Sequence, residues 1–133
     1  MIRGRSKKNK RINRNKYLKI INCQMQPVTE TSSTTKSYKL GLLNIGFLSG
    51  KSLLINDFIT DNNLDVMFLT ETCLHEFNEA SVLIELTPLN YNFLCESRQQ
   101  RKGGGVATLF NDSLKCKKVF LGKFDSFEHL ALQ

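Results

Sequence analysis

Two polar residues, Asn44 and Glu71, each follow a short apolar run and are the residues best suited to phosphate chemistry in this sequence. A divalent cation that acts on phosphates prefers hard oxygen ligands, and one carboxylate together with substrate oxygens often suffices for Mg²⁺. An amide beside that carboxylate can orient a water molecule or a phosphate oxygen. The plainer interpretation makes Glu71 a solvated residue at a strand end and Asn44 a turn former, and the spacing alone favours this second interpretation.

The elements around these two residues would bring them together. The apolar run at 40–45 predicts a buried strand, residues 51–62 have apolar side chains at helical spacing, and 65–70 predicts a second buried strand. Two strands joined by a single crossover helix lie parallel, so that both strands end at the same rim of the sheet. That rim is where α/β folds collect catalytic groups.

The rest of the chain predicts a meander of antiparallel strands after these two parallel strands. Asn78 is placed to cap a second helix, which the Thr-Pro pair at 87–88 would end. Further strands are predicted at 91–95, 106–110 and 115–121, and another begins at 127. We therefore predict an α/β fold with a mixed sheet and helices on one face.

The positive charge is concentrated at the start of the chain. Residues 1–20 hold nine of the nineteen Lys and Arg residues and none of the twelve Asp and Glu residues, although the whole chain has a net charge of +7. We predict a basic disordered tail over 1–20, a polar linker over 21–38 and a folded domain over 39–133. The tail is either a nuclear-localisation or phosphate-binding arm or a solvated segment without a role, and a transit peptide fits less well because no amphipathic stripe is sustained.

No run approaches the roughly 18 apolar residues that a membrane-spanning helix needs. The four cysteines are widely and irregularly spaced, with neither a Cys-x-x-Cys pair nor a zinc-finger spacing to a histidine. Reduced, mostly buried thiols are therefore expected. These features predict an intracellular protein without a membrane partner, and the basic tail favours the nucleus. They do not indicate an oligomeric state.

Three basic residues, Arg98, Arg101 and Lys102, precede the glycine run at 103–105. They would either contact DNA phosphates beside the active site or form a solvated loop. The glycine run lacks the spacing of a nucleotide-binding loop, so we interpret it as a close approach of two backbones or a strained entry into a strand.

The motifs occur in a recognisable order. The Leu-Leu-Asn-Ile run at 42–45, the crossover helix, Leu-Thr-Glu-Thr-Cys-Leu at 69–74 and Gly-Gly-Gly-Val-Ala at 103–107 follow one another as in the endonuclease/exonuclease/phosphatase superfamily. More narrowly, residues 39–133 resemble the apurinic-endonuclease-like domain of non-LTR (LINE-type) retrotransposons. The resemblance implies the N-terminal half of a four-layer α/β sandwich, with Mg²⁺ as cofactor and DNA as substrate.

The resemblance also implies roles for individual residues. It places Asn44 in the catalytic pocket and makes Glu71 a ligand of the catalytic Mg²⁺. Cys73 stands where the family usually has Trp, which changes local packing more than chemistry. Glu128 matches an acidic position common in the retrotransposon versions, and we assign it no role. The family's catalytic Tyr, Asp-x-Asn and Asp-His elements have no counterpart in these 133 residues.

We therefore expect a fragment of a Mg²⁺-dependent DNA endonuclease that is inactive alone because the second half of its active site is absent. The alternative is a non-catalytic nucleic-acid-binding remnant that uses the basic tail. Two further alternatives remain open. One is a phosphatase of the same superfamily, and the other is a translated relic without function.

Overall fold

The computed structural model describes most of the chain from residue 18 onward. The described residues are 18–25, 36–75, 77–98, 103–122, 124 and 128–133. Their secondary-structure elements are, in chain order, β1 (Leu18–Met25), β2 (Lys36–Asn44), α1 (Ser52–Asn62), β3 (Val66–Thr70), α2 (Glu79–Leu86), β4 (Tyr91–Glu96), β5 (Val106–Asn111), a short 3-10 helix (Asp112–Leu114), β6 (Lys118–Val119) and β7 (Ala131–Leu132).

Five strands form one mixed sheet in the order β1-β2-β3-β5-β4. The strands β2 and β3 are parallel neighbours, with α1 as the crossover between them, and the other neighbours are antiparallel. The predicted α/β fold with a mixed sheet is confirmed. Because β2 and β3 run in the same direction, their C-terminal ends lie at the same edge of the sheet.

The core lies between one face of the sheet and the two helices. Side chains alternate between the two faces of a strand, so every second residue of the central strands points at the helices. The buried cluster combines strand residues with one face of each helix, and its members include Leu43, Met67, Leu69, Ala107, Leu109, Ile55, Ile59, Leu83 and Leu86. On the opposite face, Leu42 of β2 remains 40% exposed.

The helix ends follow the predicted signals with one difference. Helix α1 ends at Asn62, and Asn63 adopts the left-handed conformation (φ 48°) that closes many helices. Helix α2 ends before Thr87, as predicted. Asn78 precedes α2 but does not cap it, because its side-chain oxygen accepts a hydrogen bond of 3.0 Å from the backbone N–H of His75 instead.

The sheet begins earlier along the chain than the sequence predicts. Strand β1 takes residues 18–20 from the predicted tail and 21–25 from the predicted linker, and β2 takes 36–38 from the linker. Strand β1 is an edge strand whose Lys19 and Asn22 side chains are exposed. An edge strand of this kind lacks a clear alternation of apolar and polar residues and so gives a weak sequence signal.

The C-terminal part differs more. The predicted strand over 115–121 is reduced to the two residues of β6, which pair with β7 in a separate sheet. The chain leaves β5 through a short helix, which begins where the Asn111 side chain accepts a hydrogen bond of 3.0 Å from Ser113 N–H. Lys115 then turns the chain with a positive φ of 49°, and a residue in that conformation cannot continue a strand. Residue 127, where a last strand was predicted to start, lies outside the described residues.

Neither α1 nor α2 is long or apolar enough to cross a membrane, and no other candidate span exists among the described residues. Cys73, Cys95 and Cys116 are free thiols. Cys73 is buried and the other two are half-buried.

Candidate metal centre at the sheet edge

Asn44 and Glu71 lie at the same edge of the sheet. Asn44 is the last residue of β2, and it lies opposite Thr70, the last residue of β3. Glu71 follows directly, and the pairing continues past the strands because Phe47 N–H donates to the Glu71 carbonyl at 2.9 Å. Both side chains are exposed at this edge. The parallel register therefore brings the amide and the carboxylate to one edge of the sheet, and their catalytic roles stay predictions.

The backbone of Glu71 is strained. Its φ of 56° lies in the left-handed region, and so does that of Cys73 at 52°. A residue other than glycine adopts this conformation at a cost of about 1–2 kcal/mol, and such outliers concentrate at functional sites. The strained turn is held by hydrogen bonds on both sides, since Leu48 N–H donates to the Thr72 carbonyl and Cys73 N–H donates to the Gly104 carbonyl.

The glycine run fixes the Glu71 carboxylate. The backbone N–H of Gly104 donates a hydrogen bond of 3.0 Å to Oε2 of Glu71. A hydrogen bond from a backbone N–H to a carboxylate is charge-assisted, and at an exposed carboxylate such as Glu71 solvent screening reduces its contribution to about 1 kcal/mol or less. Because the Glu71 side chain is exposed, it is open to an incoming ligand while one oxygen is held by the protein.

The absence of side chains at Gly104 and Gly105 allows the glycine backbone to lie close to the Arg98 guanidinium and the Thr72 hydroxyl. A Cβ on Gly104 would lie 2.7 Å from the guanidinium carbon of Arg98, and one on Gly105 would lie 2.6 Å from Oγ1 of Thr72. Both glycines also have positive φ, at 78° and 84°. A larger residue at Gly105 would collide with Thr72, and one at Gly104 would displace the end of the Arg98 side chain. The interpretation of the glycine run as a close approach is confirmed.

Arg98 is engaged in an ion pair. Its Nη2 donates a hydrogen bond of 2.9 Å to Oε2 of Glu128, and its Nε donates to Oε1 of the same carboxylate. This contact raises the pKa of Arg98 and lowers the pKa of Glu128. The contact of Arg98 with DNA stays a prediction. A phosphate would have to bind a guanidinium that is already paired with the Glu128 carboxylate. Arg101 and Lys102 lie outside the described residues.

The turn after β2 contains a basic residue that the sequence analysis missed. The ammonium group of Lys51 donates hydrogen bonds to the carbonyl oxygens of Ile45 at 2.8 Å and of Gly46 at 3.0 Å. These bonds fix the backbone that follows Asn44. The signal in the sequence is weak, since a single lysine at the start of a helix is common on protein surfaces.

The donor set at this edge fits one part of a Mg²⁺ site. Magnesium is commonly bound by one or two carboxylates, with water and substrate phosphate oxygens completing its shell. Glu71 supplies an exposed carboxylate and Asn44 an exposed amide at the same edge. Across the described segments, no group of three or more His, Cys, Asp or Glu residues could form a metal site of its own.

Comparison with known proteins supports the fold. No protein-family model matches the sequence, and no curated protein matches it either. Among solved structures, the chain is similar to the crystal structure of the AP endonuclease LMAP from Leishmania major, with a TM-score of 0.52 and 20% sequence identity. The similarity covers 61% of this chain and 27% of that chain. At this level of identity the likeness shows the fold alone.

Proposed function

We propose that this chain forms the N-terminal part of a Mg²⁺-dependent DNA endonuclease of the retrotransposon type. The observation that carries the proposal is the placement of Glu71 in a strained turn at the same sheet edge as Asn44. The order of sequence motifs that resembles LINE-type endonucleases supports the proposal. A fold shared with a protein described as an AP endonuclease supports it as well.

The proposed reaction is hydrolysis of a phosphodiester in one DNA strand. A bound Mg²⁺ would supply charge stabilisation at the phosphate, with Glu71 as its protein ligand. The Gly104 N–H fixes one oxygen of that ligand before the substrate arrives. The amide of Asn44 would orient a phosphate oxygen or a water molecule beside the ligand. By the resemblance, the product would carry a 3′-hydroxyl that primes reverse transcription.

We propose further that a polypeptide of these 133 residues does not cleave DNA by itself. Cleavage requires a group that orients or deprotonates the attacking water, and the resemblance assigns this task to Tyr, Asp-x-Asn and Asp-His elements that have no counterpart here. Loss of catalytic groups that act as a unit typically lowers the rate by about four to six orders of magnitude.

A Mg²⁺ titration followed by backbone amide NMR tests the metal site. We expect Mg²⁺ to shift the amides of Glu71 and Gly104 in the wild type and in Asp57→Asn, a control that removes an exposed carboxylate on α1. The shifts should be absent in Glu71→Gln. Equal shifts in Glu71→Gln and the wild type would contradict the assignment of the ligand.

A nicking assay on supercoiled plasmid separately tests the proposal that the 133-residue polypeptide does not cleave DNA by itself. We expect no Mg²⁺-dependent nicking by the 133-residue polypeptide. If nicking occurred and Glu71→Ala abolished it, the chain would be a complete catalyst and that proposal would be wrong, while the metal site would be supported.

A second candidate function is nucleic-acid binding by the tail without catalysis. It is favoured by the nine basic residues within 1–20. Strong salt dependence of DNA binding, lost on deleting residues 1–17, would support it. The deletion stops at 17 because β1 begins at Leu18. If the deletion left affinity and salt dependence unchanged, this candidate would be excluded.

A further inference from the structure

A series of contacts links Glu128 to the Glu71 carboxylate. Glu128 holds the guanidinium of Arg98 through both carboxylate oxygens. The guanidinium lies against Gly104, with its carbon 2.7 Å from the position that a Cβ would take. The N–H of Gly104 then donates to Glu71 at 3.0 Å. Each of these residues contacts the next, so a displacement of Glu128 would move Arg98 and the Gly104 N–H that holds the Glu71 carboxylate.

The contact with Arg98 is the largest influence on the Glu128 carboxylate and lowers its pKa. Glu128 lies 30 residues beyond Arg98, so this contact ties the C-terminal part of the described chain to the sheet edge.

We propose that Glu128 is a positioning residue for the metal ligand, acting by pinning Arg98 against Gly104 so that the Gly104 N–H fixes Glu71. The expected consequence, tighter binding of Mg²⁺, rests on the proposed function. The contacts from Glu128 through Arg98 and Gly104 to Glu71 do not depend on the metal.

The ion pair has a second effect on the site. The hydrogen bond with Glu128 is the main cause of the raised pKa of Arg98, and the negative charge of Glu71 adds to it. An arginine released from Glu128 would turn toward Glu71 and compete with a cation for the carboxylate. Glu128 thus keeps the guanidinium engaged while Glu71 remains open. Removing the charge of Glu128 should weaken Mg²⁺ binding by about 10-fold or more, as is typical for residues that support a metal ligand.

A second ion pair provides the matched control. Lys118 and Glu96 form a salt bridge whose side chains are 43% and 46% exposed, whereas those of Arg98 and Glu128 are 31% and 18% exposed. The backbone carbonyl of Glu96 lies 3.5 Å from the position of a Cβ on Gly105, but its side chain points to Lys118 and forms a solvated surface pair of the kind that contributes little. Glu96→Gln therefore removes one carboxylate of a salt bridge without disturbing Glu71.

The test uses the full 133-residue chain and two NMR readouts. The first is the Gly104 amide without metal. In the wild-type background, Glu71→Gln should change the Gly104 amide chemical shift strongly. In the Glu128→Gln background the same substitution should change it at most half as much, because Glu128→Gln has already loosened the hydrogen bond from Gly104 to residue 71. The second readout is the Mg²⁺ concentration at half-saturation, which should rise about 10-fold in Glu128→Gln and stay unchanged in Glu96→Gln.

Two milder variants keep the test decisive if Glu128→Gln does not fold. Glu128→Asp shortens the reach to Arg98 but keeps the charge, and Arg98→Lys keeps the charge but loses the paired hydrogen bonds. Both should move the Gly104 amide in the same direction as Glu128→Gln, by a smaller amount. An unchanged Gly104 amide in all folded variants would overturn the inference.

The two proposals fail in different ways. If the wild type did not respond to Mg²⁺, the proposed metal site would be wrong, and the Gly104 amide would still report whether Glu128 positions Glu71. If Mg²⁺ bound equally well to the wild type and to Glu128→Gln with Gly104 unchanged, the metal site would stand and the positioning role would be rejected.

Discussion

Thr72 and Gly105 meet so closely that no side chain fits between them. Thr72 N–H donates a hydrogen bond of 3.2 Å to the Gly105 carbonyl. The hydroxyl oxygen of Thr72 lies 2.6 Å from the position of a Cβ on Gly105, and Thr72 is only 1% exposed. Among the described residues, this hydroxyl is the one buried side-chain polar atom without a hydrogen-bond partner. Thr72 therefore packs as an apolar residue next to Glu71, the proposed metal ligand.

We predict that Thr72→Val stabilises the fold by about 0.5–1 kcal/mol, because it replaces an unpaired buried hydroxyl with a methyl group of similar size. Thr87→Val is the matched control, since the Thr87 hydroxyl donates to the Leu83 carbonyl at 2.5 Å. That variant should lose about 0.5–1.5 kcal/mol. Urea unfolding of both variants measures the difference, and a destabilised Thr72→Val would mean that the hydroxyl has a partner in solution.

We predict that Gly104→Ala is more damaging than Gly50→Ala. Both glycines have similar positive φ values, 78° and 75°, so the backbone penalty is the same. A Cβ on Gly104 would lie 2.7 Å from Arg98, whereas nothing lies within 4 Å of one on Gly50. Gly50→Ala should cost about 1 kcal/mol, and Gly104→Ala up to about 1 kcal/mol more, because the flexible Arg98 side chain can move aside only by weakening its ion pair with Glu128.

The same pair of variants separates stability from function. Gly104→Ala should also weaken the response of Glu71 to Mg²⁺, because the displaced turn no longer presents its N–H to the carboxylate. Gly50→Ala should leave that response unchanged. Thermal unfolding and the Mg²⁺ titration together measure both effects. Equal stability of the two variants would show that Arg98 moves aside without cost.

The sequence predicted the elements whose side chains form a local pattern. The apolar runs before Asn44 and Glu71 and the helical spacing of Ile55 and Ile59 determine β2, β3 and α1, and the parallel register then brings the two polar residues to one edge. The glycine run was also correctly interpreted as a close approach. The strands and the helix depend on neighbours a few positions apart along the chain, whereas the glycine run was recognisable by its composition although its partner Thr72 lies far away in sequence.

Other features had no local signal. The left-handed backbone of Glu71 lies in a turn that distant segments hold, since Phe47 N–H donates to the Glu71 carbonyl and Cys73 N–H donates to the Gly104 carbonyl. The ion pair of Arg98 with Glu128 spans 30 residues of sequence. Charged residues are common in loops, and nothing in their spacing indicates which of them will pair. Such contacts follow from the tertiary arrangement alone.

We predict that the Cys95 thiol reacts slowly with alkylating reagents and that Glu79→Gln makes it faster. Burial and the Glu79 carboxylate, which accepts a 3.0 Å hydrogen bond from the thiol, raise the pKa of Cys95 to about 12. The reactive thiolate is therefore scarce near neutral pH. Without the Glu79 charge the pKa should fall but stay above its ordinary value, since the burial remains.

Site-resolved mass spectrometry after iodoacetamide treatment at several pH values measures this effect. Cys116 is an internal control, because burial raises its pKa and Glu79 is not among the causes. Its alkylation rate should be unchanged by Glu79→Gln. An equal acceleration of both thiols would instead indicate that the variant had loosened the fold.

We predict that the fold loses stability in acid partly through Glu79. The hydrogen bonds from Cys95 and then Ser97 lower the pKa of Glu79 below its ordinary value of 4.5. The unfolded chain therefore binds a proton on this group more readily than the folded chain does. The contribution of Glu79 is fully present above the unfolded pKa and is lost as the pH falls through the lower, folded pKa.

Urea midpoints measured between about pH 7 and pH 3 should therefore decline less steeply in Glu79→Gln than in the wild type. Ser97→Ala removes the second of the two donors and should give an intermediate decline, because the hydrogen bond of the Cys95 thiol remains. The Arg98 ion pair lowers the pKa of Glu128 in the same direction, so part of the acid sensitivity should persist in both variants. If Glu79→Gln and the wild type declined in parallel, the hydrogen bonds to Glu79 would contribute nothing to acid stability, and the residual slope would be assigned to Glu128 and other carboxylates.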